Sequence, residues 1–193
     1  MTMKLILGSS SPYRRELLER LQLPFDIISP DIDESALPDE TPQALVERLS
    51  IAKARTVARE HPGTLVIGSD QVAVHGNKIV GKPKDHQHAI EQLREASGKT
   101  ITLYTGLALM NADSGKVQSE VIPYRVVFRK LSGAQIENYL NKEQPYKCAG
   151  SVKSEGLGIA LLERFEGEDP NTLIGLPLIR LIRMLENEGI TII

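Results

Sequence analysis

Two short apolar runs, residues 3–8 (MKLILG) and residues 64–69 (TLVIGS), constrain the fold of this chain most. Each run is nearly free of polar residues and passes into a Gly-Ser pair, which is typical of a buried strand that ends in a turn. Ser11-Pro12 and Thr41-Pro42 then provide an N-cap and a first-turn proline for helices to about Leu23 and about Glu60. Buried strands that alternate with helices predict an α/β fold.

The remaining pattern predicts antiparallel pairs in the same sheet. We expect a short strand over 25–28, a hairpin over 72–80 around Gly76-Asn77, a long hairpin over 99–131 that turns at 113–115, and a strand over 158–163. Helices are expected over 85–96, 132–142 and 177–188. The prediction is therefore a mixed, elongated β-sheet flanked by helices.

Composition bounds the class of protein. The chain has 193 residues, which fit one domain or one domain with two lobes; residues 1–193 are predicted to be a single domain. A net charge of −2 gives no electrostatic reason to expect binding to a nucleic-acid polymer or a membrane surface. The single cysteine, Cys148, cannot form an internal disulfide, and no apolar run suggests a signal peptide or a membrane span. We expect a cytoplasmic enzyme or small-ligand binder.

The segment from Ser9 to Arg15 is the first candidate site. Serine hydroxyls and free N–H groups at a helix N-terminus favour an anion, and arginines add phosphate contacts. Helical spacing puts Tyr13 and Arg14 on the face of the buried leucines and turns Arg15 away from it. The alternative is an ordinary capped helix with solvated arginines. An arginine within an apolar stripe needs a partner, so we favour an anion-binding role for Arg14.

Lys53 and Asp70 are the second and third candidates. Lys53 lies near the centre of the apolar face of the long helix, which indicates an anion within its reach, although a lysine stem that runs along the core is a common alternative. Unpaired burial of that ammonium would make Lys53→Met neutral or stabilising. Asp70 follows the second apolar strand, where α/β sheets place ligand-binding groups. The acidic loop with Asp31, Asp33 and Glu34 could supply oxygen ligands for a metal, although such loops are usually just solvated.

Several short motifs occur together in one order along the whole chain. They are Ser9-x-Ser11-Pro12-x-Arg14-Arg15, Asp33-Glu34, Ala52-Lys53-Ala54, Ser69-Asp70-Gln71, Gly81-Lys82-Pro83, Ser97-Gly98 and Asp169-Pro170-Asn171. In these motifs the chain resembles the Maf-like nucleoside triphosphate pyrophosphatases. The resemblance implies a two-lobed fold with a central cleft, similar to that of the inosine triphosphatases. It also implies hydrolysis between the α and β phosphates with a divalent metal, Mg²⁺ or Mn²⁺, and leaves a homodimer open.

The resemblance also implies a role for each matching residue. Asp70 becomes the general base, and Glu34 with Asp70 becomes the metal site. The implied phosphate contacts are Ser9, Ser11, Arg14, Arg15, Lys53 and Lys82.

Three positions distinguish branches of the family by the base they accept. Tyr13, Gln71 and Glu155 depart from the pyrimidine-directed pattern and resemble the branch that hydrolyses 7-methylguanosine triphosphate. The methylated guanine ring is cationic and attracts an aromatic face such as that of Tyr13, while Glu155 can accept from the guanine N1–H and amine. Two alternatives stay open: a pyrophosphatase for another modified or canonical nucleotide (UTP, dTTP or CTP), and a non-catalytic nucleotide sensor that regulates cell division.

Overall fold

A computed structural model describes residues 3–193 of the chain. The strands are β1 (Lys4–Gly8), β2 (Phe25–Ile27), β3 (Thr64–His75), β4 (Lys78–Val80), β5 (Thr100–Asn111), β6 (Val117–Phe128) and β7 (Leu162–Glu166). The α-helices are α1 (Pro12–Glu19), α2 (Pro42–Ala58), α3 (His86–Ala96), α4 (Gly133–Glu143), α5 (Asn171–Ile174) and α6 (Leu178–Asn187). Two 3₁₀ turns span Ala149–Ser151 and Leu157–Leu161.

The strands form a mixed sheet in the order β2-β1-β3-β5-β6-β7, with β4 paired to β3. β1 pairs in parallel with both β2 and β3, whereas the β3/β4 and β6/β7 pairs are antiparallel. The α/β class and the mixed sheet predicted from the sequence are therefore confirmed. The chain divides into two compact units, in agreement with two lobes; that 1–193 acts as a single domain stays a prediction.

The first unit comprises residues 3–71, 104–123 and 169–193. Its strands alternate between two cores, as the two-residue period of a strand requires. Leu5, Leu7, Leu65 and Ile67 pack with leucines of α1 and α6, and the intervening Ile6 and Val66 pack with Val57 and neighbouring residues of α2. Helices thus cover both faces of the strands in this unit.

The second unit comprises residues 72–103 and 124–168. It contains the β3/β4 hairpin, whose turn at Gly76 has φ of +60°, and the helices α3 and α4. Ser132 and Gln135 form a capping box at the start of α4. The turn at Gly76 and the turn between β5 and β6, at 113–115, lie where the sequence predicts them.

Three predicted boundaries are wrong. The strand predicted over 158–163 is a 3₁₀ turn up to Leu161, because the N–H groups of Gly156 and Gly158 both donate to Lys153 O and curl the backbone. Helix α1 ends at Glu19, not near Leu23, since Gln22 adopts φ of +54°. The strand predicted to end at Ser69 continues to His75 because it pairs with β4.

Candidate active site

Helix α1 begins directly after the serine turn that follows β1. Ser11 is the N-cap: its Oγ accepts from Arg14 N at 3.3 Å, and Ser9 Oγ accepts from Ser11 N at 3.1 Å. A polar cavity of about 130 Å³ lies here and is lined by Ser9, Ser10, Ser11, Arg14, Ser29, Pro30, Glu34 and Lys53. A helix N-terminus, hydroxyl groups and two cations around one cavity favour an anionic ligand.

Arg14 is held by a backbone carbonyl from a distant part of the chain. Its Nε donates to Gly175 O at 2.8 Å, and Ser69 Oγ donates to the same oxygen at 3.1 Å. Gly175 has φ of +124°, a backbone conformation that favours glycine, and a Cβ there would lie 3.3 Å from Arg14 Nε and crowd it. Burial lowers the pKa of Arg14, whereas the charges of Asp70 and Glu34 raise it; the guanidinium stays protonated.

Lys53 is buried and shared by two carboxylates. Its Nζ lies 2.8 Å from Asp70 Oδ1 and 2.9 Å from Glu34 Oε1. The side chains of Lys53 and Asp70 are 9% and 13% exposed, whereas that of Glu34 is 59% exposed. The chain itself therefore supplies two carboxylate partners for Lys53, and the phosphate contact predicted for this residue stays a prediction.

Two glycines allow α2 to approach the sheet closely enough to form this cluster. A Cβ at Gly68 on β3 would lie 2.0 Å from Ser50 O, and one at Gly106 on β5 would lie 2.2 Å from Val46 O. Ser50 is fully buried and its Oγ donates to Val46 O within α2. Lys53 follows Ser50 by one turn, and Asp70 follows Gly68 by two residues, so the close packing brings the two side chains together.

The acidic loop that carries Glu34 is fastened to α2 by Arg48. The Arg48 guanidinium binds both carboxylate oxygens of Glu40, at 2.6 and 2.8 Å, and donates to Ser35 O at 3.0 Å. The bonds from Arg48, together with the N–H of Leu37 that donates to the same carboxylate, lower the pKa of Glu40 to about 2. Ser35 follows Glu34 directly, so Arg48 fixes the backbone next to that carboxylate. No motif in the sequence had singled out Arg48, Glu40 or Gly175.

Tyr13 and Arg15 are both exposed, so the helical spacing is wrong for Tyr13 and right for Arg15. Tyr13 is 50% exposed and does not share the buried face of Leu17. Arg15 Nε lies 2.9 Å from Glu19 Oε1 on the same helix. The base and phosphate contacts predicted for these residues stay predictions.

Gln71 uses its amide group inside the protein. Its Nε2 donates to Thr105 Oγ1 at 2.8 Å and to Thr172 O, in α5, at 2.7 Å. The amide NH₂ therefore has partners within the protein, and the base contact predicted for Gln71 stays a prediction. Lys82 and Glu155, which lie in the second unit, are both exposed.

Comparison with known proteins identifies the family. Residues 4–188 match the family described as Maf-like protein. The chain belongs to this family. Among the Maf-like relatives, a 7-methyl-GTP pyrophosphatase from Nitrosococcus oceani is 59% identical over 96% of this chain and 93% of its own length. Another so named, from Nitrosospira multiformis, is 57% identical over 98% of this chain and 96% of its own. A solved HAM1 protein structure from Coxiella burnetii matches 65% of this chain and 73% of its own, with 17% identity and a TM-score of 0.47.

Proposed function

We propose that this chain hydrolyses 7-methyl-GTP between the α and β phosphates, which yields 7-methyl-GMP and pyrophosphate. The observation that carries the reaction type is the buried Lys53 ammonium between Asp70 and Glu34, beside the N-terminus of α1. Support for the substrate comes from the relatives named 7-methyl-GTP pyrophosphatases, which are 54–59% identical over nearly the whole chain.

In the proposed reaction a water molecule attacks the α-phosphorus and Asp70 accepts its proton. Arg14, Lys53 and Lys82 offset the negative charge that develops on the phosphates. Ser9, Ser11 and Arg15 bind the same phosphates in the ground state. A triphosphate carries more negative charge than the single carboxylate of Glu34. We therefore expect the Lys53 ammonium to leave Glu34 and bind a phosphate when the nucleotide binds.

A divalent cation, Mg²⁺ or Mn²⁺, is part of the proposal, and Asp70 and Glu34 would hold it. Among residues 3–193, no three His, Cys, Asp or Glu side chains form a group that could bind a metal alone. Two carboxylates beside a phosphate cavity nevertheless fit Mg²⁺, which usually takes one or two carboxylates and completes its shell with water and substrate phosphates. When bound, the metal would supply Lewis-acid polarisation of a phosphoryl oxygen.

The base is selected by Tyr13, Gln71 and Glu155 in this proposal. An exposed tyrosine face suits the cationic 7-methylguanine ring, and an exposed carboxylate suits its N1–H and amine.

Within residues 3–193 no helix is both long and apolar enough to cross a membrane. The cytoplasmic location and the homodimer stay predictions.

A non-catalytic nucleotide sensor is the other class of function, and the cluster argues against it. Carboxylates repel phosphates, so a protein that only binds a triphosphate gains nothing from Asp70 and Glu34 beside the phosphate cavity. Hydrolysis, in contrast, needs a base and a metal site at that place.

The test is a panel of 7-methyl-GTP, GTP, UTP, dTTP and CTP with Mg²⁺ or Mn²⁺, monitored for pyrophosphate. We expect the highest kcat/KM for 7-methyl-GTP. Asp70→Asn keeps an acceptor for Lys53 and should lower kcat by roughly 10²–10⁴, the scale of general-base catalysis. Asp26→Asn, at an exposed carboxylate on β2, is the control. A wild-type chain that binds nucleotides without releasing pyrophosphate would be a sensor.

A further inference from the structure

The positions of two exposed side chains of the second unit, Lys82 and Glu155, are set by the hydrogen bonds that fix their backbone. Lys82 lies in the loop of residues 81–85 between β4 and α3, here the Lys82 loop. Glu155 lies in residues 150–158, here the Glu155 segment. A side chain exposed to a ligand has few contacts of its own to fix it, so its position follows from its backbone.

One side chain of α3 joins the two segments. Gln92 Nε2 donates to Gly81 O at 2.9 Å, and Gln92 Oε1 accepts from Ser151 Oγ. Gly150 N donates to the same Gly81 oxygen at 3.0 Å. Gly81 O, next to Lys82, thus accepts one hydrogen bond from the Glu155 segment and one from Gln92, and Gln92 itself is bonded to that segment through Ser151.

Ser151 is the point at which the Glu155 segment is fixed. It is fully buried, its φ is +60°, and its backbone O accepts from the Tyr139 hydroxyl at 2.9 Å. Tyr139 also accepts from Lys153 N at 3.1 Å. Burial raises the pKa of Tyr139, so its hydroxyl remains a donor. A non-glycine residue at positive φ needs such support, and Gln92 and Tyr139 provide it from two helices.

The far end of the Glu155 segment is held by α4. Glu143 Oε2 accepts from Leu157 N at 2.7 Å, and Glu143 Oε1 lies 3.1 Å from Lys153 Nζ. Glu155 therefore projects from a short stretch whose backbone is bonded on both sides. The Cys148 thiol is influenced by the charges of both Glu155 and Lys82. Its pKa is raised, by burial and by Glu155, although the charges of Lys153 and Lys82 partly oppose this shift.

We propose that Gln92 is a positioning residue for nucleotide recognition, which holds the Lys82 loop and the Glu155 segment in one fixed arrangement. The inference rests on the proposed function, in which Lys82 contacts phosphates and Glu155 reads the base. By bonding to both segments, Gln92 fixes the distance between Lys82 and Glu155. A nucleotide can contact both side chains only when that distance matches the separation of its phosphates and its base.

The test compares Gln92→Met with Gln87→Met on the same helix. Gln87 is exposed and its amide bonds Glu91 within α3, so it controls for loss of a glutamine from this helix. We expect Gln92→Met to raise KM for 7-methyl-GTP more than it lowers kcat. It should also reduce the kcat/KM preference for 7-methyl-GTP over UTP by roughly 3- to 10-fold, the scale of one lost hydrogen bond. Gln87→Met should change neither.

Ser151→Ala gives an independent measure of the same bond. If the Gln92–Ser151 hydrogen bond carries the effect, the double variant should lose no more preference than the worse single variant. Unchanged KM and preference in folded Gln92→Met would overturn the inference while the proposed function stands. A wild-type chain that releases no pyrophosphate from any nucleotide would overturn the proposed function, and this inference with it.

Discussion

Lys53 Nζ lies 2.8 Å from Asp70 Oδ1, and both side chains are almost completely buried. The pair links helix α2 to strand β3, and Lys53 is also one of the residues that line the polar cavity. Asp70 depends on that ammonium, because a largely buried carboxylate without a counter-charge is strongly disfavoured. The expectation that Lys53→Met is neutral or stabilising does not allow for this partner.

We therefore expect Lys53→Met to destabilise the protein by roughly 3 kcal/mol in metal-free buffer, since it removes the ammonium that contacts the largely buried carboxylate of Asp70. Lys53→Met combined with Asp70→Asn should recover most of that loss. Urea unfolding of the three proteins measures both effects. If the double variant is as unstable as Lys53→Met alone, Lys53 stabilises the fold by packing of its stem and not by its charge.

Tyr13→Leu should strongly reduce the preference for 7-methyl-GTP over GTP, because it removes the aromatic face that attracts the charge on the methylated ring. The cation–π contribution is up to about 2 kcal/mol, which is roughly 30-fold in kcat/KM. Tyr13 is 50% exposed, so little packing is lost. Tyr13→Phe keeps the ring and is the control; equal kcat/KM ratios for the Leu and Phe variants would remove Tyr13 from base recognition.

Gly68→Ala should destabilise the first unit by roughly 1–3 kcal/mol or more, because the new Cβ would lie 2.0 Å from Ser50 O and force α2 off the sheet. Gly133→Ala adds the same methyl group at a position with no atom within 4 Å. Thermal unfolding of both variants makes the comparison. A small shift at Gly68, equal to that at Gly133, would mean that α2 moves without cost.

Glu40→Gln should remove one component of acid sensitivity. Arg48 and the Leu37 N–H lower the pKa of Glu40 from its ordinary 4.5 to about 2 in the folded chain, so this group stabilises the fold above about pH 4.5. That stabilisation is lost as the pH falls from 4.5 to 2. The Tm difference between wild type and Glu40→Gln should shrink over this range. A difference that is constant with pH would show that the Glu40 carboxylate does not titrate with folding.

The sequence predicted elements better than their ends, and cations better than the bonds that fix them. The apolar run over 64–69 is enough to place β3, whereas its extension to His75 depends on pairing with β4. Lys53 is found because a charge within an apolar stripe conflicts with the helical pattern. Arg14 is held by a backbone carbonyl, that of Gly175, which lies 161 residues away in the sequence. Because the contact involves no side chain of Gly175 and no neighbouring residue, no local sequence pattern can indicate it.

The core of the first unit joins elements that are far apart in sequence: Leu5 and Leu7 of β1 pack in one cluster with Leu181 and Leu185 of α6. About 170 residues separate Leu7 from Leu181, so forming this contact requires closure of a very long loop. Such long-range contacts form more slowly than local helix and hairpin contacts. The α6 side of this core is therefore expected to assemble late in folding, after α1 has already packed on the same strand.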